Sequence, residues 1–237
     1  MTAATLSKPA PTMRGTELPY EDDIPLESSW HLNVMYLLMS ILGYFWRDRH
    51  DVYLGGNQFV YFDPNQSKRH HFRGPDFFLV KGVKDNHHRH SWVVWEEDFL
   101  TPDFVIELAS ETTADFDLTG KKEIYEQILK TTEYVVYNPE TEVLQGWRLL
   151  GKRYVPITPN ENNWLWSEEI GLWLGVVEHR FLNYSNFVKA LRFFEPTGQL
   201  VPTREEAEAQ RAETEAQARR AAEAEIARLT ALLSQKP

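Results

Sequence analysis

The chain has 237 residues, 42% of them hydrophobic and 13% aromatic, which is too apolar for a disordered chain and long enough for one domain with a sizeable core plus an appendage. Cysteine is absent, so disulfide frameworks and thiolate metal centres are excluded. Lys and Arg number 25 against 35 Asp and Glu, a net charge of −10, which argues against a simple basic nucleic-acid binder.

Residues 1–26 are expected to form a flexible N-terminal arm; Met1 to about Tyr20 is rich in Thr, Pro and Ala and has no periodicity. Ser28 or Ser29 can cap a helix carrying Leu32, Met35, Leu38, Leu42 and Phe45 at helical spacing. Gly55-Gly56-Asn57 reads as a turn and Gln58 to Phe62 as a strand. Short β-branched and aromatic runs at Phe77 to Val80, Trp92 to Trp95 and Phe104 to Leu108 suit a buried sheet, with a polar loop from Asp85 to His90. A helix is predicted over Asp117 to Lys130 and a strand over Tyr134 to Tyr137. Leu144 to Leu150 and Arg153 to Ile157 make a hairpin about Gly151-Lys152, and Asn160 to Val177 reads as β-rich trimming. At Pro202 the composition shifts. Thr203-Arg204-Glu205-Glu206 has the form of a capping box, and a charged helical tail over 203–237 follows, with apolar bulk only at Ile226, Leu229, Leu232 and Leu233. The N-terminus shows no apolar run of the length a signal peptide or membrane anchor needs, so a soluble cytoplasmic protein without a membrane partner is expected.

The chemistry concentrates in three carboxylates and one ammonium. Asp76 and Asp103 each follow a proline at the mouth of an apolar run, and Glu107 interrupts such a run. A period of two puts Asp103 and Glu107 on one face of their strand. A lone Asp after Pro is ordinarily a strand-entry residue. A buried Glu is harder to explain, because it costs several kcal/mol unless it neutralises, pairs or binds a metal. A salt bridge from Glu107 to Lys121 would satisfy it without any catalysis. Lys122 is adjacent but points about 100° away around the helix. His87, His88 and His90 admit a transition-metal reading, although neighbours in a polar loop seldom converge on one centre. Basic residues cluster at Lys68 to Arg73 and at Lys81, Lys84 and Arg89, either as a solvated loop surface or as a phosphate track.

Pro75-Asp76, then Pro102-Asp103, Glu107 and Ser110, then Asp117, Lys121 and Tyr125, and finally Glu133 to Pro139, occur in an order that resembles the PD-(D/E)XK nuclease superfamily. Within it, the chain resembles a bacterial restriction-endonuclease family, from about Glu27 to Thr203. The superfamily lysine two residues after the strand acid is replaced by Ala109, and Lys121 stands where that family carries it, on the next helix. The resemblance implies an α/β fold of restriction-endonuclease type over 27–202, a mixed central sheet flanked by helices with extra β-hairpins and a C-terminal helical extension. It further implies Mg²⁺- or Mn²⁺-dependent endonucleolytic cleavage of DNA. Asp76, Asp103 and Glu107 would be the catalytic and metal-binding acids and Lys121 the catalytic lysine, with His31, Tyr125 and Lys122 accessory. A homodimer, aided by the C-terminal helix, would let two sites meet two strands. The alternative is a catalytically inactive nuclease-fold module for binding or interaction.

Overall fold

The computed structural model describes residues 18–20, 28–64, 72–85, 87–110 and 114–234; the expected N-terminal arm and the basic residues Lys68 to His71 fall largely or wholly outside these. The chain divides into two compact units that meet between Val201 and Pro202.

The first unit is α/β, built on a six-stranded mixed sheet. Its strands are β1 (Val52–Gly55), β4 (Phe77–Lys81), β6 (Phe104–Leu108), β7 (Glu133–Asn138), β8 (Val143–Leu150) and β9 (Arg153–Pro156), in that spatial order. Within this sheet only β6 and β7 pair in parallel. A parallel pair needs a crossover, and the helical segment over residues 114–129, here called α2, supplies it. A small sheet of β2 (Val60–Tyr61), β3 (Phe72–Arg73) and β5 (Trp92–Val93) and a three-stranded sheet of β10 (Leu165–Ser167), β11 (Leu172–His179) and β12 (Val188–Phe194) complete the unit.

Both faces of the central sheet are covered, so its middle strands read as continuous apolar runs. On one face Phe77, Leu79, Phe104, Ile106 and Leu108 pack with Val34, Leu38, Ile41 and Leu42 of helix α1 (Ser29–Phe45) and with Leu172, Leu174, Leu191 and Phe193 of the three-stranded sheet. On the other face Phe78, Val80, Val105, Ala109 and Val136 meet Tyr125 and Leu129 of α2. Residues 165–194 are therefore part of the core rather than trimming around it. Ser28 is the residue that caps α1, its hydroxyl accepting from the His31 N–H at 3.3 Å.

Gly55 lies in β1 instead of the expected turn. A Cβ there would come within 2.2 Å of the Phe78 ring, so the strand pairs with β4 only if this position is bare. The hairpin between β8 and β9 forms as expected, with Gly151 at φ +65 in its turn.

The second unit is one helix, α3 (Arg204–Ser234). Both arms of the capping box form: the Glu206 N–H donates to Thr203 Oγ1 at 3.1 Å, and the Thr203 N–H donates to Glu206 Oε2 at 2.8 Å. Pairs such as Arg204–Glu208 and Arg219–Glu223, each at 2.8 Å, support its surface. Replacing Thr203 by Ala is expected to cost this helix about 1 kcal/mol and to speed amide exchange through its first turns; unchanged exchange there would show the cap to be idle. No helix among the described residues is long and apolar enough to cross a membrane.

Candidate active site

The site lies where β4 begins and β6 ends. These strands are antiparallel with Phe77 opposite Ile106, so the next step outward sets Asp76 opposite Glu107. Asp76 Oδ2 accepts the Leu108 N–H at 2.7 Å, which fixes its carboxylate against the end of β6. Glu107 is only 1% exposed. Its Oε2 accepts from Lys121 Nζ at 3.0 Å and its Oε1 from the Tyr125 hydroxyl at 3.1 Å.

Helix α2 delivers three polar side chains to this strand end. Asp117, also 1% exposed, lies 2.8 Å from Lys121 Nζ, so one ammonium bridges two buried carboxylates. Tyr125 is fully buried and stacks on Tyr134, whose hydroxyl donates to the Asp117 carbonyl at 2.9 Å. The segment is not a regular α-helix: Asp117–Lys121 and Tyr125–Leu129 are wound as wider π turns, a form often found at functional sites.

The electrostatics follow from burial. Desolvation pushes the Glu107 carboxyl up to about 8; Lys121 pulls it down, while the negative charges of Asp76 and Asp117 push it up. Desolvation opposes charge on Lys121 as well, but Glu107, Asp117 and Asp76 together hold its pKa above the ordinary lysine value. Three acids around one ammonium leave negative charge uncompensated when all are ionised. That donor set fits a hard divalent cation such as Mg²⁺, which binds through one or two carboxylates and retains waters.

Asp103 is not part of this group. It precedes the opposite end of β6, four residues and about 13 Å of strand from Glu107. There its Oδ2 accepts the Lys81 N–H at 2.7 Å, a strand-entry role, and desolvation raises its pKa. Alternation would set the two acids on one face of an unbroken strand, but Asp103 stands before β6, at its other end. Among the described residues no three His, Cys, Asp or Glu side chains are grouped so as to hold a metal by themselves. Of the three acids expected here, Asp76 and Glu107 stand at this strand end and Asp103 at the other.

The accessory residues separate clearly. Lys122 Nζ lies 3.9 Å from the centre of the Trp147 ring, directed away from the acids. His31 is buried on the opposite side of Leu108, with Nε2 2.9 Å from the Leu108 carbonyl and Nδ1 2.9 Å from Ser28 Oγ. A carbonyl only accepts, so Nε2 carries the proton. His31 therefore steadies the same residue whose N–H holds Asp76. His87 pairs with Asp85, His88 meets His90 edge-on, and His87 lines a separate cleft of about 290 Å³ with Arg89 and Glu97. Lys81 pairs with Glu169, Lys84 with Asp98 at 2.7 Å and Arg89 with Glu97 at 2.6 Å, so these cations are neutralised locally rather than forming an open phosphate track. Asp117 received no role from the sequence beyond its place in the motif; its signal was the four-residue spacing to Lys121 on a helix.

A mixed central sheet covered on both faces, with buried acids and a lysine of the crossover helix gathered at one strand end, makes this an α/β protein with a built polar site. Residues 23–177, more than half of the chain, match the model of the Uma2 family, described as "Putative restriction endonuclease", and the chain belongs to that family. No curated protein matches. Among solved structures, one from Anabaena variabilis, described as "a putative nuclease belonging to DUF820", is 12% identical and covers 62% of this chain and 76% of its own, with a TM-score of 0.45.

Proposed function

We propose that the protein is a Mg²⁺- or Mn²⁺-dependent endonuclease that hydrolyses DNA phosphodiester bonds. The observation that carries this reading is the convergence of Asp76, Glu107 and Lys121 at one strand end, with Glu107 buried inside an otherwise apolar run. Family membership supports the same class of chemistry.

Asp76 and Glu107 would hold the ion, and Asp117 would keep Lys121 in place. When bound, the ion supplies charge neutralisation at the phosphoryl oxygens and a water of lowered pKa. Lys121 presents a charged donor that can orient the attacking water or balance charge on the phosphate as it is attacked. Tyr125 fixes the second oxygen of Glu107, so that carboxylate cannot rotate freely. The Leu108 N–H does the same for Asp76, and His31 holds Leu108 from behind. Homodimerisation, with α3 as a pairing surface through Ile226, Leu229 and Leu233, would bring two such sites to two strands.

Nicking of supercoiled plasmid with Mg²⁺ or Mn²⁺ tests the reading. Glu107→Gln and Lys121→Ala are expected to lower the rate by about a hundredfold or more, as loss of a transition-state contact does. Lys122→Ala should leave it within about twofold, because that ammonium sits over Trp147. Equal, metal-independent nicking by all the proteins would sink the nuclease reading.

One observation favours a second reading, a nuclease-fold binding module without catalysis. Lys121 already bridges Glu107 and Asp117, so the buried charges are partly satisfied by the chain itself. That reading predicts no specific heat on calorimetric titration with Mg²⁺ or Mn²⁺, whereas the endonuclease reading predicts saturable binding lost in Glu107→Gln.

A further inference from the structure

Arg73 ends β3, opposite Val60 of β2, and only Gly74 and Pro75 separate it from Asp76. Its Nη1 donates to the Phe72 carbonyl at 2.6 Å, which anchors the guanidinium to its own strand. Its Nε is buried and has no acceptor among the described residues. It takes part in no ion pair there, unlike Lys81, Lys84 and Arg89, which are all matched with acids. Tyr125 and Glu107 lie within its electrostatic reach, yet it donates a hydrogen bond to neither. Burial lowers its pKa against the pull of those two groups.

A charged donor that is withdrawn from water and left without an acceptor costs the folded state more than a neutral one. An anion placed between it and the acids would remove that cost, and the guanidinium fork matches the oxygens of a phosphate. The same cation would offset repulsion between a phosphodiester and the carboxylates of the site.

We infer that Arg73 is a substrate contact of the candidate site, docking a backbone phosphate of the nucleic acid beside Asp76 and Glu107. The inference rests on the endonuclease reading for the identity of the anion, but its test is separate from cleavage. Its signal in the sequence is a basic residue three positions before the first strand-end acid.

Binding of a short fluorescein-labelled DNA duplex to the full-length protein, followed by anisotropy in Ca²⁺ over a range of KCl, tests it. Arg73→Gln is expected to bind about tenfold more weakly or worse, with the slope of log K against log salt shallower by about 0.9, the signature of one lost phosphate contact. Arg73→Lys keeps the charge and should retain the slope while losing part of the affinity. Thermal melting of both variants separates this from misfolding, and if Arg73→Gln does not fold, Arg73→Lys decides: unchanged affinity overturns the proposal. Equal affinity and slope in wild type and Arg73→Gln would also overturn it and leave the endonuclease reading intact. Weaker binding and a shallower slope in Arg73→Gln, alongside a wild type that never nicks plasmid, would keep the phosphate contact and remove the catalysis. A wild type that binds neither duplex nor single strand would overturn the proposal outright.

Discussion

Lys121→Met is expected to destabilise the folded protein by about 3–5 kcal/mol near pH 9 and by distinctly less near pH 6, because it strips the cation from two buried carboxylates. Lys121 lies 3.0 Å from Glu107 and 2.8 Å from Asp117, and both acids are 1% exposed. The pH dependence comes from Glu107. Its folded pKa is raised from 4.5 to about 8, so the folded state holds this proton more tightly than the unfolded chain does. That contribution is complete below 4.5, shrinks as pH rises and is gone above about 8. Lys121 behaves differently: its own raised pKa keeps its contribution intact until pH exceeds the ordinary lysine value of 10.5. Without Lys121, which pulls the Glu107 pKa down, Glu107 becomes harder to ionise, and the gap to wild type widens with pH. Urea unfolding across this range measures it, and a gap independent of pH would show that Glu107 is not the titrating group. On the proposed function, metal binding requires ionised Glu107, so affinity for Mn²⁺ in the wild type should rise over the same window.

Breaking the Glu133–Arg148 pair by Arg148→Met should cost about 3–5 kcal/mol, as large as any single change outside the site. Glu133 is fully buried at the start of β7, directly opposite Arg148 of β8. It accepts from Arg148 Nε at 2.8 Å, from the Glu168 N–H at 2.9 Å and from the Ser167 hydroxyl. Arg148 in turn donates to Glu168 at 2.7 Å and to the Trp166 carbonyl at 2.9 Å. One ion pair thus ties the central sheet to the edge of the three-stranded sheet, and removing the arginine strands a charge in the interior. Exchanging both partners for apolar residues of similar volume should recover much of the loss. The midpoint of urea unfolding reads both effects; a loss under about 1 kcal/mol for Arg148→Met would show that the pair is solvated in solution.

What could be read from the sequence followed physical periodicity. The strands Phe77–Lys81, Phe104–Leu108 and Glu133–Asn138 stood out because a sheet covered on both faces demands unbroken apolar runs. Glu107 stood out for the same reason, as the one charge inside such a run. Helix α1 was legible from its stripe and its cap. Asp103 shows where this reasoning stops: alternation along a strand fixes the face of a side chain but not which end of the sheet it serves. Strand β1 was hidden because Gly55 is needed for space against Phe78, a reason visible only in three dimensions. Strand β12 was hidden because Lys189 and Arg192 interrupt its pattern, and Arg192 is buried all the same. That Arg73 comes within electrostatic reach of Glu107 depends on how β3 meets the rest of the unit, which no local pattern encodes.

The unusual winding of α2 sets a rule about spacing. In a regular helix each residue advances about 100°, so steps of four drift by about 40°, and two steps from position 117 to 125 would accumulate about 80°. The wider turn over Asp117–Lys121 slows the rotation, so that Asp117, Lys121 and Tyr125 keep closer to one bearing toward Glu107. The segment works as a phase corrector. Deleting one residue from that turn would restore ordinary winding there and better backbone hydrogen bonding, yet swing Tyr125 off the strand end. The number of residues between β6 and β7 is therefore constrained as tightly as their identities, and a shortened variant should be more helical and chemically out of register.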